Sequence, residues 1–225
     1  MISFLRNGFT NESIIIIICF LFAILFSLSF HEFAHAYVAN KMGDDTAKRL
    51  NRLTLNPLAH LDIVGTICFV LFGFGWAKPV PINPLNFKEY RKGLFLTSIA
   101  GIVANIFLAF FASGAYVLML KLNALATTGF WGFVTTFLVI LFEELIYINL
   151  GLAVFNLLPI FPLDGFNIIS SLTRRGNEFQ RFMMKYGSII LIAMFVTGFF
   201  DVALTFIVEK ILYPFVAFWG FVGIL

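Results

Sequence analysis

The sequence predicts an all-α polytopic membrane protein, and three observations carry that prediction. The chain is 60% hydrophobic and only 12% charged, where soluble domains run at about 25% charged. Its mean hydropathy is +0.97. Residues 13–30, 94–120, 122–142, 145–163, 186–200 and 211–225 hold no Asp, Glu, Lys or Arg. Apolar runs of about 18 or more residues read as membrane spans. The basic residues, finally, gather in the segments between those runs, as membrane orientation requires. A soluble enzyme, a disordered chain and a transmembrane barrel are excluded.

The elements follow in order. Residues 13–42 read as one long helix, closed by Gly43 and the Asp44-Asp45 pair. Residues 43–61 form a polar loop. Residues 63–76 are apolar but only 14 long, with glycines at 65, 73 and 75. A helix of that length reaches ~21 Å, short of the ~30 Å hydrocarbon core, so a re-entrant loop or hairpin fits better. Lys78-Pro79-Val80-Pro81-Ile82-Asn83-Pro84 is a proline-broken extended segment. Residues 94–120 make a second span, and a third ends near Pro159. Residues 186–207 give a fourth, and 211–225 a short final hydrophobic segment. The expected architecture is therefore about four full transmembrane helices, a re-entrant loop and a short C-terminal segment, all in one domain over residues 1–225.

Glu143 and Glu144 interrupt the third apolar stretch. A loop there would deliver Asp164 to the side opposite the inner end of the first helix. Read as one span, the stretch sets Glu143 ~20 Å outward of Asn156, near the outer interface where charge is tolerated.

Orientation comes from Lys and Arg. With the N-terminus outside and 63–76 not crossing, segments 41–93 and 159–185 lie in the cytoplasm and hold 12 of the 15 basic residues. Arg6, Lys121 and Lys210 stay outside. A net charge of +3 gives no reason to expect nucleic acid. Both cysteines, Cys19 and Cys68, lie in apolar runs and read as buried free thiols. The first apolar run is long, has little charge before it and lacks an A-x-A site, so it reads as retained.

The chemistry centres on His31-Glu32-Phe33-Ala34-His35, an H-E-x-x-H on the first helix. A spacing of four residues is ~400°, so the two imidazoles lie ~40° apart on one face, a turn apart. That is the bite for one Zn²⁺, with Glu32 beside it to take a proton from water. Ionisable groups inside a span are costly and functional by default. Lys41 follows ten residues later, which keeps the pair within ~15 Å of the cytoplasmic boundary. Zinc that keeps a water position needs a third protein ligand. Asp164, set between Pro162 and Gly165, is one candidate, with a helix N-cap at 165–172 as its bland alternative. His60, in Asn56-Pro57-Leu58-Ala59-His60, is the other, and reads more readily as a loop histidine or one behind the ligands.

These residues together resemble the site-2 protease family of intramembrane zinc metalloproteases. The resemblance rests on H-E-x-x-H in the first helix, the Asn-Pro-Leu-Ala-His segment, GWAKPVPIN and NLLPIFPLDG. It covers residues 20–172 and is similar to the short bacterial branch without PDZ or CBS domain. It implies Asp164 as the third zinc ligand, and substrate contacts at Asn156, Pro159 and Pro162. It also implies a re-entrant β-loop over 63–76, with Gly73 and Gly75, whose edge strand toward Pro81 receives unwound substrate. Phe161 stands where the family often has proline. Gly101-Ile102-Val103-Ala104-Asn105 stands where it often reads G-P-x-x-N. Asn105 reads as an interhelical hydrogen bonder.

The expected function is an endopeptidase with one Zn²⁺ per chain, acting on a single-span membrane protein in the bacterial inner membrane. Its site would open toward the cytoplasm, in a catalytic core spanning 13–172. A metal or proton transporter using the same His and Asp residues predicts a relay of ionisable groups across the membrane, but the span interiors hold few beyond the motif, and it leaves Glu32 unexplained. An inactive scaffold that binds membrane segments predicts a broken motif, and the motif is whole.

Overall fold

The computed structural model describes residues 11–62, 64–65, 78–125 and 129–222, with backbone alone at 11–12 and 199–205. Helix α1 runs from Asn11 to Met42. Its apolar residues cover every face, as expected of a helix set among lipid and other helices. Its 32 residues reach ~48 Å, well beyond the ~30 Å core. The helix stops at Gly43, whose φ of +114° is open to glycine and strained for other residues. Asp44 then donates its N–H to Ala39 O at 2.9 Å and closes the end.

A short helix α2 (Thr46–Arg49) and two 3₁₀ turns, Pro57–His60 and Pro84–Asn86, follow. Each turn starts with an Asn side chain capping a backbone N–H and a Pro at the first position, where no donor is needed. The expected re-entrant segment 63–76, with Gly73 and Gly75, lies outside the described residues apart from 64–65. Residues 78–83 run without regular structure, so the part of the expected edge strand that is described is not a strand.

Helix α3 (Tyr90–Leu125) is the centre of the bundle. It packs against α1, α4 (Gly129–Leu157), the short α5 (Asp164–Leu172) and α7 (Phe199–Phe221). Much of its buried face is Gly93, Gly101, Ala104, Ala109, Ala112, Ser113 and Gly114. Residues this small let helices approach closely where no hydrophobic force separates helix from lipid. Ala23 of α1, Ala109 and Ala112 of α3, Leu145, Ile146 and Leu150 of α4, and Val208 of α7 form one apolar core. Trp219 of α7 donates its indole N–H to Phe110 O at 3.0 Å and lies over Gly114.

Among the described residues, four helices are long and apolar enough to cross a membrane: the stretches Ser13–Met42, Tyr90–Leu125, Gly129–Leu157 and Glu178–Val196. The all-α multi-pass architecture is as expected. Helix α4 passes unbroken through Glu143 and Glu144, so the stretch is one span. The C-terminal boundaries differ from the expected 186–207 and 211–225. Helix α6 occupies Glu178–Val196, the chain turns at Gly198 with φ +68°, and α7 starts at Phe199. Hydropathy alone runs through this break, because one left-handed glycine reverses direction without adding charge.

The exit from α4 sets up the site. A Cβ on Gly165 would collide with the carbonyl oxygens of Leu157 and Leu158. Glycine alone permits that approach, and it folds the start of α5 back against the end of α4.

Candidate metal centre

Helix α1 presents His31 and His35 one turn apart. Their rings meet edge to face, with centroids 4.5 Å apart and planes at 87°. The two Nε2 atoms are 2.9 Å apart. Asp164, the first residue of α5, brings Oδ2 to 3.4 Å from His31 Nε2 and 3.1 Å from His35 Nε2. The histidines are 5% and 7% exposed. Leu163, not Asp164, is the N-cap, and no side chain caps this helix. The N-cap reading of Asp164 therefore fails, and the carboxylate faces the histidines instead.

These three side chains fit a zinc ion. Tetrahedral zinc, with ligands at about 2.0–2.2 Å, sets its donors about 3.3–3.6 Å apart, a little wider than the triangle here. The observed edges of the triangle are 2.9, 3.1 and 3.4 Å. His35 Nδ1 lies 2.7 Å from Thr97 O, a carbonyl that only accepts, so the ring's proton sits on Nδ1. Its Nε2 then offers a lone pair to the triangle. Asp164 Oδ2 is buried there without a hydrogen-bond partner. Lone pairs crowded together away from water are stabilised by a cation, and two imidazoles with one carboxylate suit zinc.

Gly101 of α3 closes the far side of the pair. A Cβ there would lie 2.5 Å from both His31 Cε1 and His35 Nε2. This glycine is what allows α3 to lie flat against the histidine face of α1.

Glu32 is positioned from the other direction. Its Oε2 accepts the N–H of Val80 at 2.8 Å. The extended segment around Val80 is itself tied down at several points. Arg52 Nη2 donates to Lys78 O at 2.8 Å, Lys78 N donates to His60 O at 2.9 Å, and Asn83 N donates to Asp44 Oδ2 at 2.7 Å. Asp44 is fully buried and also accepts from Thr46 and Asn86. Burial pushes its carboxyl upward, but these hydrogen bonds outweigh burial and hold it below the ordinary carboxylate value.

Between this segment and the histidines lies a cavity of about 320 Å³. Its lining includes His31, Glu32, His35, Pro79, Val80, Thr97, Asn156, Pro162, Asp164 and Asn167. Among the expected substrate-contacting residues, Asn156 and Pro162 face it. Asn156 donates to Leu152 O at 3.0 Å, which leaves its side-chain oxygen uncommitted to that bond. Pro159 stands exposed between α4 and α5, outside the lining.

His60 joins neither the donor triangle nor the cavity. The 3₁₀ turn at Pro57–His60 aims its ring back into the loop, where Nε2 donates to Thr54 O at 2.9 Å. It is buried but braces its own loop, and no hydrogen bond links it to His31, His35 or Asp164. Asn105 does lie directly behind a histidine, with Oδ1 at 2.5 Å from His31 Nδ1.

Sequence reasoning assigned no role to Thr97, Asn167 and Asn149, and showed Gly101 and Val80 only as members of longer segments. Only Asn149 left a clear signal, as an amide inside an uncharged span.

The profile of peptidase family M50 matches residues 129–195, which contain α4, α5 and nearly all of α6. A Bacillus subtilis (strain 168) protein named as a zinc metalloprotease, YwhC, is 45% identical over 179 residues, covering 77% of this chain and 78% of that one. A Mycolicibacterium smegmatis protein named as a zinc metalloprotease, Rip2, is 28% identical over 181 residues, covering 77% of this chain. The alignment spans 64% of that second protein's length. No solved structure matches the chain. A multi-pass helical fold with a buried metal-type donor set and this kinship defines a metallopeptidase of the membrane. The chain belongs to peptidase family M50, the site-2 protease family.

Proposed function

We propose that this peptidase is a zinc endopeptidase that cuts other membrane proteins within their transmembrane segments, with one Zn²⁺ per chain. The observation that carries the reading is the convergence of His31, His35 and Asp164 inside a bundle of membrane-length helices. When bound, zinc supplies the Lewis acidity that polarises a carbonyl and acidifies water.

The chain's own residues do the rest. His31 and His35 present Nε2, and Asp164 presents Oδ2. Glu32 takes the proton from the attacking water, held in place through Oε2 by Val80. Asn156 and Pro162 line the space where an unwound substrate backbone would lie, and Asn156 offers its side-chain oxygen to a peptide N–H. A helical peptide bond is shielded by its own backbone pairing, so the substrate must unwind before attack. The fitting partner is a single-span membrane protein.

The proposed setting is the bacterial inner membrane, with the N-terminus outside and the site opening toward the cytoplasm, because that places 12 of 15 basic residues inside. In this reading residues 1–225 act as one membrane domain with its catalytic core over 13–172.

The test is cleavage of a single-span substrate by purified protein in micelles, with and without a zinc chelator. Glu32→Gln should retain zinc and lose about 10²–10⁴-fold in cleavage, since the amide cannot accept the proton. His35→Ala should lose zinc and activity together. Near-normal proteolysis by Glu32→Gln would overturn the mechanism. Zinc transport without cleavage by the unaltered protein would overturn the function.

A further inference from the structure

Behind His31 runs a buried chain of side chains that the proposed chemistry does not use. His31 Nδ1 meets Asn105 Oδ1 at 2.5 Å, and Asn105 Nδ2 donates to Asn149 Oδ1 at 2.7 Å. Asn149 Nδ2 donates to Leu145 O at 2.8 Å and to Ser27 Oγ at 2.7 Å. The chain crosses three helices: His31 and Ser27 on α1, Asn105 on α3, and Asn149 with Leu145 on α4. Ser27, Asn105 and Asn149 are each 0% exposed, so no bulk water competes for these groups.

The direction of every bond follows from one end. Leu145 O is a main-chain carbonyl and only accepts, so Asn149 must face it with its NH₂. The oxygen of Asn149 therefore faces Asn105, and Asn105 must answer with its own NH₂. That turns the oxygen of Asn105 toward His31, which makes His31 Nδ1 a donor. The ring's proton is then on Nδ1, and Nε2 offers its lone pair to the triangle with His35 and Asp164.

The two histidines differ in how they are held. His35 Nδ1 faces Thr97 O, which cannot turn round. His31 faces an amide, which can. A half-turn of Asn105 would present NH₂ to Nδ1, push the proton to Nε2 and block the nitrogen that faces the donor triangle. Asn149 is what forbids that half-turn.

We infer that Asn149, acting through Asn105, is a positioning residue that fixes His31 in the Nδ1-protonated tautomer required for metal binding. This rests on the reading of His31 as a metal ligand. It requires no contact between Asn149 and metal or substrate.

The test reads the ring directly. The full chain would be labelled with ¹⁵N-histidine, stripped of metal and studied by NMR in lipid, where the two ring nitrogens of each imidazole report which of them carries the proton. In the unaltered protein, His31 and His35 should both be protonated on Nδ1. Asn149→Leu should move His31, but not His35, toward Nε2 protonation, and weaken zinc binding by about 10–100-fold. Asn149→Ser provides a smaller change that can still reach Leu145 O but not Asn105, and should act the same way if the leucine variant fails to fold. Adding Asn105→Asp to either variant should restore the tautomer and most of the zinc affinity, because a carboxylate accepts whichever way it turns. The inference is overturned if His31 keeps its tautomer without Asn149, if both histidines shift together, or if the aspartate rescues nothing. Because the tautomer is read without metal or substrate, absence of proteolysis would count against the proposed function and leave this result intact.

Discussion

Val80 donates its backbone N–H to Glu32 Oε2 at 2.8 Å, and its neighbours on both sides are prolines that have no N–H to give. This is the one donor of the Pro79-Val80-Pro81 triplet, and it is aimed at the carboxylate beside the metal-type donors. The side chain of Val80 packs separately, against Ala36 and Ala47.

Those two roles can be separated by mutation. Val80→Pro removes the donor, and Val80→Ala removes the packing while keeping it. A hydrogen bond to a charged group contributes about 1.5–3 kcal/mol, roughly a 10–100-fold effect on rate if the bond persists only when the base is correctly placed. Val80→Pro should therefore lower kcat by that range with zinc content unchanged, and Val80→Ala should keep kcat within a few-fold. Steady-state cleavage and metal analysis on both variants check this, and equal losses in the two would refute it.

Two helix glycines give a second contrast. A Cβ on Gly101 would lie 2.5 Å from both histidine rings, whereas a Cβ on Gly151 meets nothing within 4 Å. Gly101→Ala should expel zinc and lower the melting temperature, as over-packing costs about 1–3 kcal/mol. Gly151→Ala should bind zinc normally and melt at the same temperature or higher, since alanine is the better helix former by about 1 kcal/mol. Full zinc occupancy in Gly101→Ala would contradict the packing described here.

Asp44 makes stability depend on acid. Its buried carboxylate ties the end of α1 to Asn83 and Asn86, and its pKa is lowered from the ordinary 3.8 because the hydrogen bonds outweigh burial. A depressed folded value means the unfolded chain binds the proton more readily. The stabilisation is therefore complete above the unfolded value, and is lost as pH falls below 3.8 and through the folded value. Melting curves from neutral to acid pH should show a steeper acid loss for the unaltered protein than for Asp44→Asn. Parallel curves would show that Asp44 does not contribute.

The ends of α3 and α5 fix which segments share a face. Arg91 Nη2 lies 3.5 Å from Thr173 O, and the Arg175 guanidinium sits 5.1 Å from the Tyr90 ring centre. Cysteines placed at Lys88 and Arg174 should therefore label from the same side, and in the proposed orientation only from the cytoplasm. Labelling of position 88 alone from outside would reject both the shared face and the re-entrant reading of 63–76.

Much of this was legible in one dimension. Uncharged runs located the helices, because the bilayer excludes charge whatever the tertiary arrangement. The H-E-x-x-H spacing set two imidazoles on one face, because a helix turns ~100° per residue regardless of its neighbours. The break at Gly198 was not legible, since a glycine in an apolar run leaves hydropathy unchanged. Spacing did not rank His60 against Asp164; a proline-bounded turn favoured the aspartate over a loop histidine, and the resemblance to a family implied it as the third ligand.

By itself the sequence determined the membrane class, the helix that holds His31, Glu32 and His35, and the aspartate offered by a proline-bounded turn. These are local matters of composition and period. Tertiary structure decided everything that depends on how one helix is rotated against another. It set Gly101 against the histidine rings, Val80 on Glu32, and Thr97 and Asn105 behind the two imidazoles. It also linked Asn149 to His31 from a different helix. Helix rotation is settled by the packing of many small side chains along α3 at once, and no single residue or spacing records it.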